Sequence, residues 1–324
     1  MKLRYTKIAA VIISAAPITS GIPAGAADPV FIQDGVFVTL QGTNAVAPLN
    51  GDARWAAGDQ MTYVAVNSAG DLVMASSSAE NAVYAYDAAT GEQLARIEVG
   101  DTPKGIKFDR EGRHAFAANE GSGTVSVIDP EKMEVIKTID VGPTPHSTVA
   151  SPDNKTLYVA LQGGSTVAEI DLETLEKIGE LPAGDAPHNL DISPDGKRLY
   201  VANVESEDLA VINLETREVL KRIPLGPPHY GVDVTPDGSL VLVTGITGDT
   251  VTVIDVEAMA QKTEIQIGQG PHGVRTSSDG RWAYVTVAGE DKVVVIDLSD
   301  LEIEDSISPG EGSFPFWVAV QGNM

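Results

Sequence analysis

The stretch GDAPHNLDISPDGKRLYVANVESEDLAVINLETREVLKRIPLG, residues 184–226, opens and closes on glycine, and the 42-residue step from Gly184 to Gly226 decides the fold. Within it, four short runs carry β-branched or aromatic residues between turn signals: His188 to Ile192, Arg198 to Ala202, Leu209 to Asn213 and Val219 to Pro224. Ser193-Pro194-Asp195-Gly196 separates the first two; proline presets φ, aspartate tolerates the turn and glycine closes it. Four antiparallel strands in about 40 residues make one blade of a propeller, with strands lettered a to d from the axis outwards.

Working outwards, the same step recurs along the chain. Gly58, Gly100, Gly142, Gly184, Gly226, Gly268 and Gly310 are each 42 residues apart, and Asp87, Asp129, Asp171, Asn213, Asp255 and Asp297 follow in phase, 29 residues past the preceding glycine. Such phased polar residues at the end of strand c are expected to make Asx-type turn bonds. Six whole units fill Gly58 to Gly310. Phe314 to Val320 reads as a lone strand a, and Val36-Phe37-Val38-Thr39-Leu40-Gln41-Gly42 matches the strand b of other units. The expectation is an all-β, seven-bladed propeller over residues 27–324, its last blade assembled from residues 31–57 and 311–324. Closing the ring with strands from both termini leaves no free sheet edge. Asn50 to Gly58 is shorter than the corresponding stretch elsewhere, so strand d of that blade is expected to be short or irregular.

Tyr158-Val159-Ala160, Tyr200-Val201-Ala202-Asn203 and Tyr284-Val285-Thr286, with the Ser-Pro-Asp-Gly turn and Val-Ile-Asp strand ends, resemble the YVTN family of β-propeller repeats, which includes exported YncE-like proteins. The resemblance covers nearly all of the chain after its first residues. It implies the propeller and leaves activity open, because one fold hosts many functions.

Lys2, Arg4 and Lys7 precede an apolar run from Ile8 to Ala16, and Ala24-Gly25-Ala26 ends the segment on small residues. This pattern predicts a secretory signal over residues 1–26, cleaved after Ala26 or Ala27, and a periplasmic or secreted product. Pro17, Gly21 and Pro23 break the run too early for a membrane-spanning helix. The whole chain carries a net charge of -24; without Lys2, Arg4 and Lys7 it holds 19 basic against 46 acidic residues, about -27, so nucleic acid is excluded as a partner. There is no cysteine for a disulfide, a thiolate site or a lipid anchor.

Function in such a disc is expected at the mouth of the central channel, on the face shared by the d-to-a links and b-to-c loops. The residues at the start of strand a read, round the ring, Thr62, Lys104, His146, His188, His229 beside Tyr230, His272 and Phe316. Four of the five histidines in the chain therefore fall at one position on four consecutive blades, each after a proline. Neutral imidazole suits Zn(II) or Cu(II), and His146, His188, His229 and His272 are the candidate ligands of one transition-metal ion or metal complex. The plain alternative is a set of packing groups inherited with the repeat. Acidic residues of nearby loops, Glu120, Glu205, Glu207, Asp208, Asp249, Glu290 and Asp291, are candidates to attract a cation or a basic partner.

Three functions remain open. The first is a non-catalytic binding protein for a metal ion or small molecule. The second is a propeller enzyme of lactonase or metal-assisted lyase type, for which no catalytic residue is assigned because the ring has no acid of its own. The third is an accessory scaffold that holds a periplasmic protein partner in a redox or dehydrogenase system.

Overall fold

In the computed structural model, residues 35–226 and 229–323 are described, with His229 described by its backbone alone. The expected secretory signal, residues 1–26, lies outside them. Seven four-stranded antiparallel sheets follow one another as blades, and every blade is an a-b-c-d meander. In blade 4 the strands are Pro187–Ile192, Arg198–Asn203, Asp208–Asn213 and Glu218–Pro224, within one residue of the sequence reading. The phased residues close the c-to-d turns as expected: Asp171 Oδ1 accepts from the Thr174 N–H at 2.7 Å, and Asn213 Oδ1 from that of Thr216 at 2.9 Å.

Blade 7 joins the two ends. Its strand a, Pro315–Val320, pairs antiparallel with strand b, Val36–Leu40, with Val36 opposite Val320 and Thr39 opposite Trp317. Strand c is Ala45–Pro48, and strand d shrinks to Trp55–Ala56. The seam is apolar. Val36, Val38 and Leu40 of blade 7 pack with Trp282, Tyr284, Val293 and Val295 of blade 6, all buried. Trp55 and Trp317 join the cluster that runs on through blades 1 and 2. Each such side chain contributes about 1.5–3 kcal/mol by leaving water.

Strand a lines the axis in every blade and is almost wholly buried, whereas strand d alternates outwards, as in Glu176–Pro182. Each a strand carries a β-bulge near its start. In blade 3, Pro145 pairs with Leu161 and Thr148 with Val159, so three steps on strand a answer two on strand b; in blade 4 the extra residue is His188 itself. The same irregularity occurs in the other five blades. An extra residue interrupts the two-residue alternation, so consecutive side chains can both turn towards the axis.

The residue just before strand a is left-handed even where it is not glycine: Thr102, Thr144, Ala186 and Phe314 have φ of 53°, 52°, 55° and 47°. A proline follows each of them and disfavours the right-handed helical region for the residue before it. Their carbonyls accept the N–H groups of Glu120, Gln162, Val204 and Gln41. This repeated backbone strain sets the level at which the axial side chains sit.

Candidate functional site

The bulge brings the ring residues against one another around the axis. His146 and His188 lie 3.7 Å apart between ring centroids, His188 meets Tyr230 edge-on at 4.4 Å, Tyr230 stacks on His272 at 5.5 Å, and His272 lies 3.8 Å from Phe316. His146, His188 and His272 are buried. Below this ring sits a second tier that the sequence reading did not single out, built from the residue following each ring position. Tyr63 crosses the axis from blade 1, with its hydroxyl 3.3 Å from His146 Nδ1 and accepting from Asn189 Nδ2 at 3.4 Å, while its ring packs on Trp317 at 4.2 Å.

Not every expected ring member faces a ligand. Thr62 is buried and donates its hydroxyl to neighbouring carbonyls, and Lys104 pairs with Glu120 at 3.5 Å. Tyr230 takes the ring position in blade 5, as its register predicts; the side chain of its neighbour His229 lies outside the described residues. Three of the loop acids are committed to the scaffold. Asp291 accepts from the Phe314 and Gly312 N–H groups at 2.7 Å each and Asp249 from Gly270, tying a b-to-c loop to the next blade, while Glu290 accepts from Gln269 in the link that enters its own blade. His114 stands apart from the ring, immediately before strand b of blade 2, beside Asp109.

The histidines differ in what they hold. In four blades a hydroxyl of strand b clasps the bulge: Thr39, Ser76, Thr244 and Thr286 accept from the N–H groups of Trp317, Tyr63, Gly231 and Gly273. The same hydroxyls donate to the ring-position carbonyls of the next blade, Thr62, Lys104, His272 and Phe316. In blades 2, 3 and 4 this position is Ala118, Ala160 and Ala202, with no hydroxyl to give. The imidazoles take over in two of them: the His146 ring is hydrogen-bonded to the His188 backbone, and the His188 ring to that of Tyr230. His272 has no such duty, since Thr286 serves its blade. Among the described residues its ring makes no hydrogen bond, and the Nδ1 atoms of His272 and His188 are buried without partners.

Burial holds all three imidazoles neutral. His146 is pushed down to about 3 by burial and then by the nearby charges of Lys104 and His272. His272 falls to about 3 through burial and Lys104, and His188 lies well below the usual histidine range through burial and its two histidine neighbours. Neutral imidazole is the metal-ligating form. Among the described residues, however, no group of three or more His, Cys, Asp or Glu side chains is arranged to hold a metal ion.

Sequence reasoning also missed a polar cluster at the other end of the channel. Three residues beyond the ring, strands a present Lys107, Asp191, Asp233 and Arg275 on blades 2, 4, 5 and 6. Arg275 Nη1 meets Asp233 Oδ1 at 3.2 Å, both buried, and lies over the Trp317 ring. Carrying the blade alignment three residues further would have shown these charges at one level.

Comparison with known proteins bears on the scaffold. Residues 63–223, from strand a of blade 1 to strand d of blade 4, match the model of a family described as lactonase, 7-bladed beta-propeller. No curated protein sequence matches the chain. Among solved structures, hydrazine synthase of Kuenenia stuttgartiensis superimposes with a TM-score of 0.72 at 22% identity, covering 81% of this chain and 90% of that one. Dihydro-heme d1 dehydrogenase NirN, in complex with DHE, does so with a TM-score of 0.68 at 18% identity, covering 93% of this chain and 77% of that one. At these identities the likeness is one of fold. Among the described residues no helix is long and apolar enough to cross a membrane. By its blades and by these matches, the chain is a seven-bladed β-propeller.

Proposed function

We propose that the protein is a non-catalytic binding propeller of the periplasm or cell exterior, and that His272 offers an imidazole nitrogen to a ligand that brings its own metal. The observation that carries this reading is the inequality of the histidines. His146 and His188 bond the backbone of the next blade, whereas His272 is buried, neutral and unbonded between Tyr230 and Phe316. A buried polar atom without a partner is a standing penalty of about 1–3 kcal/mol that a ligand can relieve. A single imidazole cannot cage a bare Zn(II) or Cu(II) ion, but it suffices as one ligand of a metal complex whose other positions are filled. The structural neighbour in complex with DHE supplies a class of complex to try, an iron tetrapyrrole.

The test titrates the mature protein with hemin, Zn(II) and Cu(II) beside a His272→Phe variant; Phe316 already occupies the equivalent ring position, so the substitution keeps the stacking. Saturable one-to-one hemin binding that disappears in the variant supports the reading. Binding that the variant retains refutes it. Tight binding of a bare ion, lost with His146 or His188, would instead favour the ion site expected from sequence.

A lactonase-like reading has the family match over residues 63–223 in its favour. Hydrolysis needs a free acid or base within hydrogen-bond reach of the bond to be broken. The ring's carboxylate neighbour, Glu120, is paired with Lys104. Hydrolysis of simple lactones, lost in Glu120→Gln, would revive it.

A further inference from the structure

We infer that the end of the channel opposite the histidine ring is a second ligand site, built for a small carboxylate that also carries a hydroxyl or ammonium group. At about 3.3 Å per strand residue, the three residues separating the two levels place this site about 10 Å down the axis, independent of the reading given above.

The argument rests on one blade failing to repeat what its neighbour does. Asp233 is saturated. Its Oδ2 accepts from the Thr276 N–H at 2.7 Å, the Thr276 hydroxyl at 2.8 Å and Asn323 Nδ2 at 3.0 Å, and its Oδ1 takes Arg275. Asp191 stands one blade earlier at the same strand position and makes the equivalent first bond, Oδ2 accepting from the Val234 N–H at 2.8 Å. Where Asp233 then finds Arg275, however, Asp191 finds Asp233, which has no proton to donate. Among the described residues no donor meets its Oδ1, although the residue is only 8% exposed.

Two cationic groups near it are likewise incompletely satisfied. Arg110, in the turn after strand a of blade 2, donates Nη2 to the Ala150 carbonyl at 3.4 Å but has a buried Nε with no partner. Lys107, whose flanking positions on blades 1 and 3 are Ala65 and Val149, makes no ion pair or hydrogen bond among the described residues, although it feels the charges of Asp191, Asp233, Arg275 and Arg110. Burial, and after it Arg275, pushes the Lys107 ammonium well below its ordinary value.

A hollow of about 270 Å³ opens onto Arg110 and Asp191, with Asn323 in its wall and Pro152, Pro194 and Pro236 of three successive a-to-b turns at its rim. Asn323 also borders a small inner space of about 10 Å³ that touches Lys107 and Arg275. With the Arg275–Asp233 pair closed, the groups left open are two cations and one carboxylate oxygen. A ligand carboxylate in the hollow meets Arg110 with a charge-assisted bond, and a donor on the adjacent carbon meets Asp191, while Lys107 adds its charge from the inner space that Asn323 also borders. The spare positive charge favours an anion here, in a protein whose net charge is -24.

Calorimetric titration with lactate, alanine and propionate tests this directly, since the three differ only in bearing a hydroxyl, an ammonium or neither. Lactate or alanine is expected to bind in the millimolar range or tighter, with propionate at least tenfold weaker, because a site built around a hydrogen-bonding group rejects the analogue without it. Arg110→Gln and Asp191→Asn are each expected to weaken binding at least tenfold. The Asn side chain keeps an acceptor for Val234, so the fold survives, and an unchanged circular dichroism spectrum checks that. His272→Phe should leave this binding untouched. No saturable heat with any of the three at tens of millimolar, equal binding of propionate, or full binding by both variants would overturn the inference.

Discussion

Acidification to pH 5 should destabilise this propeller well before its surface carboxylates begin to protonate, because three of its histidines are buried as neutral rings. His146 and His272 titrate at about 3 in the folded chain against about 6.5 when unfolded. Their folded values are depressed, so the unfolded chain binds more protons between those limits and stability is lost as pH falls below 6.5. At pH 5 each ring has lost about 2 kcal/mol, from roughly 1.4 kcal/mol per pH unit over 1.5 units. His188 adds in the same direction. Asp233 opposes: burial raises its carboxyl, and its contribution grows as pH falls. The net loss is about 4 kcal/mol. The exposed turn aspartates such as Asp87, Asp129 and Asp171 are held below the usual carboxylate range and add their losses only at lower pH. Thermal unfolding at pH 7.5 and 5.0 should therefore differ by on the order of 10 °C. His272→Phe should remove about 2 kcal/mol of that difference. A melting point flat over this interval, or an unaltered pH slope in the variant, would refute the assignment of neutral, buried imidazoles.

Two further outcomes follow from the scaffold. Thr244→Val leaves both the Gly231 N–H and the His272 carbonyl without their shared hydroxyl and should destabilise by about 2 kcal/mol; in blade 4, His188→Phe should lose about 1 kcal/mol that Ala202→Thr restores, both read from urea midpoints. Deleting residues 311–324 exposes strand Val36–Leu40 as an edge and removes the buried Trp317, so the truncated chain should elute as aggregate in size-exclusion chromatography, whereas Trp317→Ala should stay monomeric and lose about 3–5 kcal/mol.

How much of this was legible in the sequence depends on whether a feature repeats. Strand boundaries in blade 4 and the composite blade 7 could be read because each blade must solve the same problem of turns and pairing, and the 42-residue step exposes the shared solution. The ring was legible for the same reason: Pro145-His146, Pro187-His188 and Pro271-His272 fall in phase. What the phase does not carry is the partner. Asp249 and Asp291 read as free loop acids, yet their carboxylates cap N–H groups of the following blade, 21 residues or more away. Nothing in the sequence singled out Tyr63, because strict alternation hides the inward turn that a bulge allows.

The informative positions are those where one blade departs from an arrangement its neighbours keep. Ala160 and Ala202 lack the hydroxyl that Thr244 and Thr286 supply, and the His146 and His188 rings complete the inter-blade bonds in its place, which accounts for two histidines without any ligand. His272 sits in a blade that keeps its threonine, so the same account does not reach it. Asp191 repeats half of what Asp233 does and lacks an arginine to finish it. In a structure assembled from copies, a polar group satisfied in one blade and orphaned at the same place in another cannot be explained by the demands of the repeat. Such a group must either be lost at little cost to the fold or be satisfied from outside it, and the unbonded ring of His272 and the half-satisfied carboxylate of Asp191 lie towards opposite ends of the strands that line one axis.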